Sequence, residues 1–359
     1  MTNKQVEMYL CQGEMPVVEA MQKIDDNAKG VLFVTEEEGQ LVGSLTDGDI
    51  RRWLIKTNNL TATVSEIMNT SPRYIFEGER EKASAYMRGL RIKVLPVLDV
   101  HNRIVEIIFD TDAQSNTIKR QANSLKEIPV IIMAGGKGTR LYPYTKILPK
   151  PLIPIGDVPI LERIINRFFQ YGIEDYYLTI NYKKGMIKSY FSELQPQYKI
   201  FYIEEEKPLG TAGSIRLIQK KFKMPIIVTN CDILIDADYE NIVKYHKESG
   251  NDLTVISALK NMIVPYGVLH VKEQGIIASV EEKPKMTYLI NTGMYVLSPE
   301  VIEENPNNTF FHMTDLLNVL MKKGKKVGMY PVSEDSFLDM GELEEMRKME
   351  KRINQSREE

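Results

Sequence analysis

Residues 128–155 read IPVIIMAGGKGTRLYPYTKILPKPLIPI, and the fold is decided by this stretch. It opens on an apolar run that ends at Met133, short enough for a strand buried on both faces. The chain then enters Ala134-Gly135-Gly136-Lys137-Gly138-Thr139-Arg140. Glycines after a strand let backbone N–H groups approach a polyphosphate, and Lys137 and Arg140 add fixed positive charge. Lys150 follows behind a proline-punctuated loop. Such a cluster suits phosphoryl-type transfer, whose barrier is lowered by positioning and charge neutralisation. Two commoner glycine motifs are excluded. A dinucleotide fingerprint needs a third glycine where Leu141 stands, and no Gly-Lys-Ser/Thr occurs at Walker spacing.

Downstream, strands are expected at 128–134, 176–180, 198–203, 225–229, 253–259, 266–271 and 292–297. Helices are expected at 158–171, 184–193, 211–221, 238–248 and 313–322. That alternation predicts an α/β domain with a mixed, mainly parallel sheet covered on both faces. The charged stretch 342–359 reads as a solvated helix. Tyr142, Tyr144 and Tyr295 read as packing residues, Lys220–Lys223 as a solvated helix end and Asp25-Asp26 as a solvated turn.

Upstream, the chain repeats itself. Residues 31–49 (VLFVTEEEGQLVGSLTDGD) and 94–112 (VLPVLDVHNRIVEIIFDTD) share a Val-Leu start, a turn, an apolar strand and a closing Asp-x-Asp. Val31 and Val94, and Asp47 and Asp110, are each 63 residues apart. A helical stretch precedes each copy, so the two units are expected to pack as one module. The polar run 121–127 reads as a linker.

On these residues the chain resembles two known families. The repeat is similar to a tandem pair of cystathionine-β-synthase (CBS) domains spanning residues 1–120, with copies at about 8–60 and 65–118. Its signature is Gly43-Ser44-Leu45-Thr46-Asp47-Gly48-Asp49. The resemblance implies that Thr46, Asp47 and Asp49 hold an adenine or guanine nucleotide, although the pair also reads as a dimerisation platform alone. In the second copy Glu106 stands in place of Gly43 and Phe109 in place of Thr46. A homodimer or higher homo-oligomer built through the pair is the expectation.

From residue 128 to about 350 the chain resembles the sugar-1-phosphate nucleotidylyltransferases. GGKGTRL with Lys150-Pro151-Leu152 is their signature, and further segments match in order. The implied fold is a Rossmann-like, GT-A-like nucleotidyltransferase domain, with 351–359 as a charged helical tail. The implied nucleotide-binding residues are Ala134, Gly135, Gly136, Lys137, Gly138 and Thr139, with Glu205 and Gly210 at the base. Arg140 falls to the leaving phosphates, Lys150 to the triphosphate and Lys283 to the sugar phosphate. Gly267, Glu282, Asn291 and Gly293 fall to the sugar. Asp232 and Asp339 are the implied Mg2+ ligands, with Asp232 also catalytic. Two carboxylates from distant segments suit a hard cation that bridges phosphates. The sugar phosphate carries its own ionised nucleophile, so no triad is needed, and the chain has only 4 histidines.

A carboxylate at Glu205 fits the N1–H and N2–H2 donors of guanine, so the guanylyltransferase branch, with GTP, is favoured. The CBS fusion resembles the layout that makes GDP-glucosamine from glucosamine 1-phosphate for legionaminic acid and flagellin glycosylation. Mannose- or heptose-1-phosphate transfer, UTP or dTTP use, and a nucleotide-sensing pseudo-enzyme remain as alternatives. Composition narrows the partners. Across 359 residues, 46 Lys+Arg against 49 Asp+Glu leave a net charge of −3, which disfavours nucleic acid and membrane. Cys11 and Cys231 make no disulfide framework, and the N-terminus has no secretory core, so a cytoplasmic protein is expected.

Overall fold

The computed structural model of the protein describes residues 6–27, 29–36, 38–90, 92–109 and 124–358. The chain forms two compact units, and no single cut separates them. One unit holds Met1–Lys119, Leu259–Leu289 and Ser333–Asp335; the other holds Arg120–Ala258, Ile290–Val332 and Ser336–Glu359.

In the first unit, β1 (Leu10–Cys11), β2 (Val31–Thr35) and β3 (Leu41–Thr46) pair in the order β1-β2-β3. β1 runs parallel to β2 and β3 antiparallel to it. The helices Val17–Asp26 and Asp47–Thr57 bury Val17, Met21, Ile50 and Leu54 with Leu32, Val34 and Leu45. Each such side chain contributes roughly 1.5–3 kcal/mol when fully buried. The second copy repeats the arrangement: β4 (Ile75–Phe76), the helix Ala83–Leu90, β5 (Val94–Leu98) and β6 (Ile104–Phe109), in the order β4-β5-β6. Even the irregularity in strand pairing recurs at the same offset, between Val34 and Thr35 and between Val97 and Leu98.

The copies meet through equivalent positions. Gln40 bridges Arg103, Leu41 N donates to Asn102 O at 2.9 Å, and Ile104 N donates to Gly39 O at 3.3 Å. Exchanging the two copies maps each of these bonds onto the other, so a local pseudo-two-fold relates them. Phe33, Val94 and Ile107 are buried together. Asp110, Asp112 and the first part of the expected linker lie outside the described residues. Asp25-Asp26 ends the helix Val17–Asp26 rather than forming a turn, because Lys23 and Ile24 continue its amphipathic pattern.

The second part of the chain carries β7 (Val130–Met133), the short pair β8 (Pro154–Ile155) and β9 (Val158–Pro159), β10 (Asp175–Ile180), β11 (Lys199–Glu204), β12 (Ile226–Asn230) and β13 (Ile233–Ile235). There follow β14 (Leu253–Ile263), β15 (Gly267–Val271), β16 (Ile277–Glu282), β17 (Lys285–Leu297), β18 (Val327–Val332) and β19 (Phe337–Asp339). Seven of them form a sheet in the order β11-β10-β7-β12-β17-β14-β18. β11, β10, β7 and β12 are parallel, β17 is antiparallel to β12, and β14 is parallel to β18. The fold is thus mixed α/β and mainly parallel. β7 shows why its sequence is apolar throughout: Val130 and Ile132 enter the core on one face, Ile131 and Met133 that on the other. The helix Ile160–Phe169 buries Ile160, Leu161, Ile164, Ile165 and Phe168, one stripe at helical spacing.

Three further expectations are corrected. The helix expected at 211–221 is a turn of helix, Gly210–Gly213, then a 3-10 turn, Ser214–Leu217. Its orphan first-turn donors are met from across the chain, Ala212 N and Gly213 N donating to Phe311 O at 2.9 and 3.0 Å, and the backbone turns extended at Ile218 (φ −75°, ψ 111°), where the helical run ends. Lys220 is not at a helix end: its ammonium lies over the rings of Tyr177, Phe201 and Phe222 and pairs with Asp175. Tyr142 and Tyr144 are exposed rather than packed, while Tyr295 is buried.

Candidate active site

β7 and β12 are adjacent and parallel, so the loops after Met133 and Asn230 emerge side by side. The carboxyl ends of parallel strands are where open α/β sheets bind ligands. Ala134 N donates to Thr179 O at 2.9 Å, and the chain then leaves the sheet. Gly138 has φ +65°, and a Cβ there would come within 2.9 Å of Thr145 Cγ2 and 3.0 Å of Lys150 Cβ. Only glycine fits that turn. Thr145 Oγ1 donates to Gly138 O at 2.8 Å and ties the loop down. Buried Leu141 anchors the one-turn 3-10 helix Thr139–Leu141 and leaves Arg140 exposed.

These loops surround a cleft of about 410 Å³. Gly135, Gly136, Gly138, Thr139, Arg140, Lys150, Glu205, Gly210 and Asp232 all line it. The backbone thus brings together residues spread over nearly 100 positions of sequence, and the cleft carries phosphate-binding chemistry. Lys150 is 8% exposed, and its Nζ pairs with Asp232 Oδ2. Ile233 faces Asp339 in the β13–β19 pair, and Met340 N donates to Asp232 O at 2.8 Å, which sets Asp339 beside Asp232. Burial, then the charge of Asp232, push the Asp339 carboxyl above its usual range, against the pull of the Gly341 N–H, Lys150 and Arg140. Among the described residues no cluster of three or more His, Cys, Asp or Glu is arranged to hold a metal. Two crowded carboxylates suit a hard cation whose remaining ligands are water and substrate phosphate.

Where β11 ends, Glu204 and Glu205 diverge. Glu204 faces outward to Lys184 and Lys188, which hold its carboxyl down at about 2. Glu205 turns inward, 6% exposed, its carboxylate against Gly135 and accepting from Leu209 N at 3.2 Å. Burial raises its pKa. Thr179 Oγ1, which lines the same cleft, is buried without a hydrogen-bond partner. Burial pushes the Cys231 thiol up to about 12, so it is no nucleophile despite lining the cleft.

Other expected residues are placed elsewhere. Ala134 is buried and Lys137 exposed, and neither lines the cleft. Asn291 Nδ2 donates to the Tyr295 hydroxyl at 2.8 Å, and Gly293 packs against the amide of Asn230, a lining residue. Gly267 pairs with Glu282 across β15 and β16, and Lys283 N donates to Tyr266 O at 3.3 Å; this ribbon belongs to the first unit. In that unit Thr46 caps the helix Asp47–Thr57: its Oγ1 accepts from Asp49 N at 3.2 Å, and Asp49 Oδ2 accepts from Thr46 N at 2.9 Å. Asp47 pairs with Arg51 and Asp49 with Arg52, so these polar groups already have partners within the chain.

Phe310 and His312 also line the cleft and were not anticipated. Phe311 N donates to Leu209 O at 2.9 Å and carries them there, and the two rings meet edge to face at 4.7 Å. The one signal in sequence was Asp315, whose carboxylate accepts from His312 N at 2.8 Å and caps the helix Met313–Lys322; it marks a helix start, not a cleft.

A CBS domain matches residues 4–56. The mannose-1-phosphate guanyltransferase of Debaryomyces hansenii is 35% identical over 48% of this chain and 50% of its own length. A D-glycero-alpha-D-manno-heptose 1-phosphate guanylyltransferase of Campylobacter jejuni is 35% identical over 59% of this chain and 93% of its own. A UTP--glucose-1-phosphate uridylyltransferase of Synechocystis is 32% identical over 59% and 60%. The chain therefore spans only about half the length of the mannose enzyme. No helix among the described residues is long and apolar enough to cross a membrane. The nucleotidyl transferase model matches residues 129–356, well over half the chain and the whole of the cleft just described, and the chain belongs to that family.

Proposed function

We propose that the protein transfers a nucleoside monophosphate, GMP above others, from the triphosphate to a sugar 1-phosphate and releases pyrophosphate. The observation that carries the reading is the shared cleft: a glycine loop, Arg140, Lys150 and Asp232 at the carboxyl ends of parallel strands. A phosphate monoester oxygen of the sugar phosphate, ionised at neutral pH, attacks the α-phosphorus. The new P–O bond forms as the α–β bridge breaks, and pyrophosphate leaves with the electron pair. No proton is removed, which accounts for a site without a general base. Arg140 neutralises charge growing on the leaving phosphates. Lys150, oriented by its pairing with Asp232, directs its ammonium to the triphosphate. Loop N–H groups after Met133 orient the phosphates for in-line displacement. Asp232 and Asp339 would hold Mg2+, which when bound supplies further charge neutralisation on phosphate oxygens. Glu282 and Lys283 take the sugar and its phosphate.

Glu205 supports guanine. Its buried carboxylate offers acceptors to N1–H and N2–H2, where uracil and thymine have a single N–H donor between two carbonyls. Two of the three relatives named above are guanylyltransferases. The fused N-terminal module favours glucosamine 1-phosphate as acceptor and GDP-glucosamine as product. It also favours homo-oligomers and a nucleotide effector at Thr46 and Asp47, in the cytoplasm where triphosphates are abundant.

The test is pyrophosphate release with Mg2+, crossing GTP, UTP, dTTP, CTP and ATP with glucosamine-, N-acetylglucosamine-, mannose-, heptose- and glucose-1-phosphate. Release is expected with GTP and an amino-sugar phosphate. Release with another pair moves the substrate assignment and keeps the mechanism; release from none overturns the reading.

A further inference from the structure

The residues assigned to the sugar phosphate sit on an element that belongs to the N-terminal unit. β14 and β17 both run beyond the sheet, and their outer ends flank the β15–β16 ribbon. At its root, Val264 N donates to Pro284 O at 3.1 Å and Lys283 N to Tyr266 O at 3.3 Å. One step further down, Thr287 Oγ1 donates to Asn261 Oδ1 at 2.8 Å and closes the two legs against each other.

That clamp is itself held from outside the ribbon. Asn261 donates twice to Glu334 Oε2, from its backbone N at 3.1 Å and its Nδ2 at 2.9 Å, and Lys260 Nζ pairs with Glu334 Oε1 at 3.0 Å. The next residue, Asp335, accepts from Gln22 Nε2 at 2.7 Å. Gln22 lies on the helix Val17–Asp26 of the first CBS copy. Packing follows the same route, because Leu259 is buried in the core of that copy and Leu289 packs against it. Hydrogen bonds on either side of the Glu334–Asp335 peptide therefore tie a helix of the N-terminal module to the root of the ribbon.

Neither feature is needed to make the ribbon. A two-stranded hairpin forms from its own ladder, and its exposed strands bury little. Such a hairpin is marginal alone, so its orientation is set by what grips its root. Here the grip is polar and part-buried: the outer ends of β14 and β17 are clamped to Glu334, just past β18, and the next residue, Asp335, is held by Gln22 of the module.

We propose that Gln22, Asn261 and Glu334 are positioning residues through which the N-terminal module sets the placement of the ribbon bearing Glu282 and Lys283, and so tunes the hold on the sugar phosphate. This rests on the assignment of Glu282 and Lys283 to the sugar phosphate. A shift of the helix Val17–Asp26, from an effector or from assembly of the module, is passed to the acceptor substrate and not to the nucleotide.

The experiment uses the full chain with Gln22→Glu, which sets two carboxylates face to face at Asp335, and Gln22→Glu with Asp335→Asn, which restores a donor–acceptor pair. Steady-state kinetics give KM for each substrate, and hydrogen exchange reads residues 264–284. Loss of one such bond changes an equilibrium roughly 3- to 10-fold. The expected result is a rise of that size in KM for the sugar phosphate, an unchanged KM for the triphosphate, and faster exchange confined to the ribbon. The double variant should recover all three. An equal rise in both KM values, or a single variant that moves neither KM nor exchange, overturns the proposal. If the unsubstituted protein turns over no pair of substrates, the functional reading fails and exchange alone decides the tie between module and ribbon.

Discussion

At the scale of single residues the site turns on one pair, Lys150 and Asp232. Both side chains are nearly buried, at 10% and 14% exposed. Removing one partner of such a pair leaves the other charge without compensation. Asp232→Asn separates structure from chemistry, because the amide oxygen still accepts from Lys150 while the negative charge is gone. The expected outcome is a loss of turnover by roughly 10³ or more, the scale for a group that organises transition-state charge, with the thermal midpoint shifted by only a few degrees. Pyrophosphate release and a melting curve on the same sample check it, and turnover within tenfold of the unsubstituted enzyme would remove Asp232 from the mechanism. Neither the pairing nor its burial was legible in sequence. The partners are 82 residues apart and meet only because β7 and β12 are neighbours. The glycines and cations of 134–140 were legible because their meaning is local.

At the scale of elements, the loop from Met133 to Leu141 works because its backbone takes shapes a side chain forbids. Gly138→Ala places a Cβ at positive φ and against Lys150. Left-handed backbone costs an ordinary residue about 1–2 kcal/mol before any clash. Urea unfolding should show a loss of about 1–3 kcal/mol, with a raised KM for the triphosphate. Unchanged stability and KM together would show that the loop reshapes freely and does not hold the cation. Periodicity located most elements well, since strand and helix patterns are short-range. It failed at 211–221, where composition favours helix but the backbone turns extended at Ile218, while Ala212 N and Gly213 N are held by Phe311 O, about 100 residues on. The same crossing carries Phe310 and His312 to the cleft. The 63-residue repeat was legible because both copies keep the same strands, the same irregularity and reciprocal bonds at Gln40 and Arg103.

At the scale of the whole molecule, chain order and compact units part company, since Leu259–Leu289 joins the N-terminal unit. Linear division cannot express an element that leaves a sheet and returns to it. Global stability should also carry the mark of one buried group. His246, 2% exposed, bonds to Thr254 Oγ1 at 2.9 Å and to Ser298 Oγ at 3.3 Å. Burial, and then the charge of Lys247, lower its pKa to about 4, with Asp252 pulling the other way. An unfolded histidine titrates near 6.5, so between these values the unfolded chain binds the extra proton. The contribution of His246 to stability is therefore full above pH about 6.5 and is lost as the pH drops toward 4, by an amount on the order of 3 kcal/mol. His246→Gln keeps hydrogen-bonding capacity but cannot charge. Urea midpoints measured from pH 7.5 to 4.5 should fall less steeply for the variant. Parallel curves would mean that His246 is protonated in the folded state as readily as in the unfolded, and that its burial is relieved by opening of the helix Tyr239–Ser249.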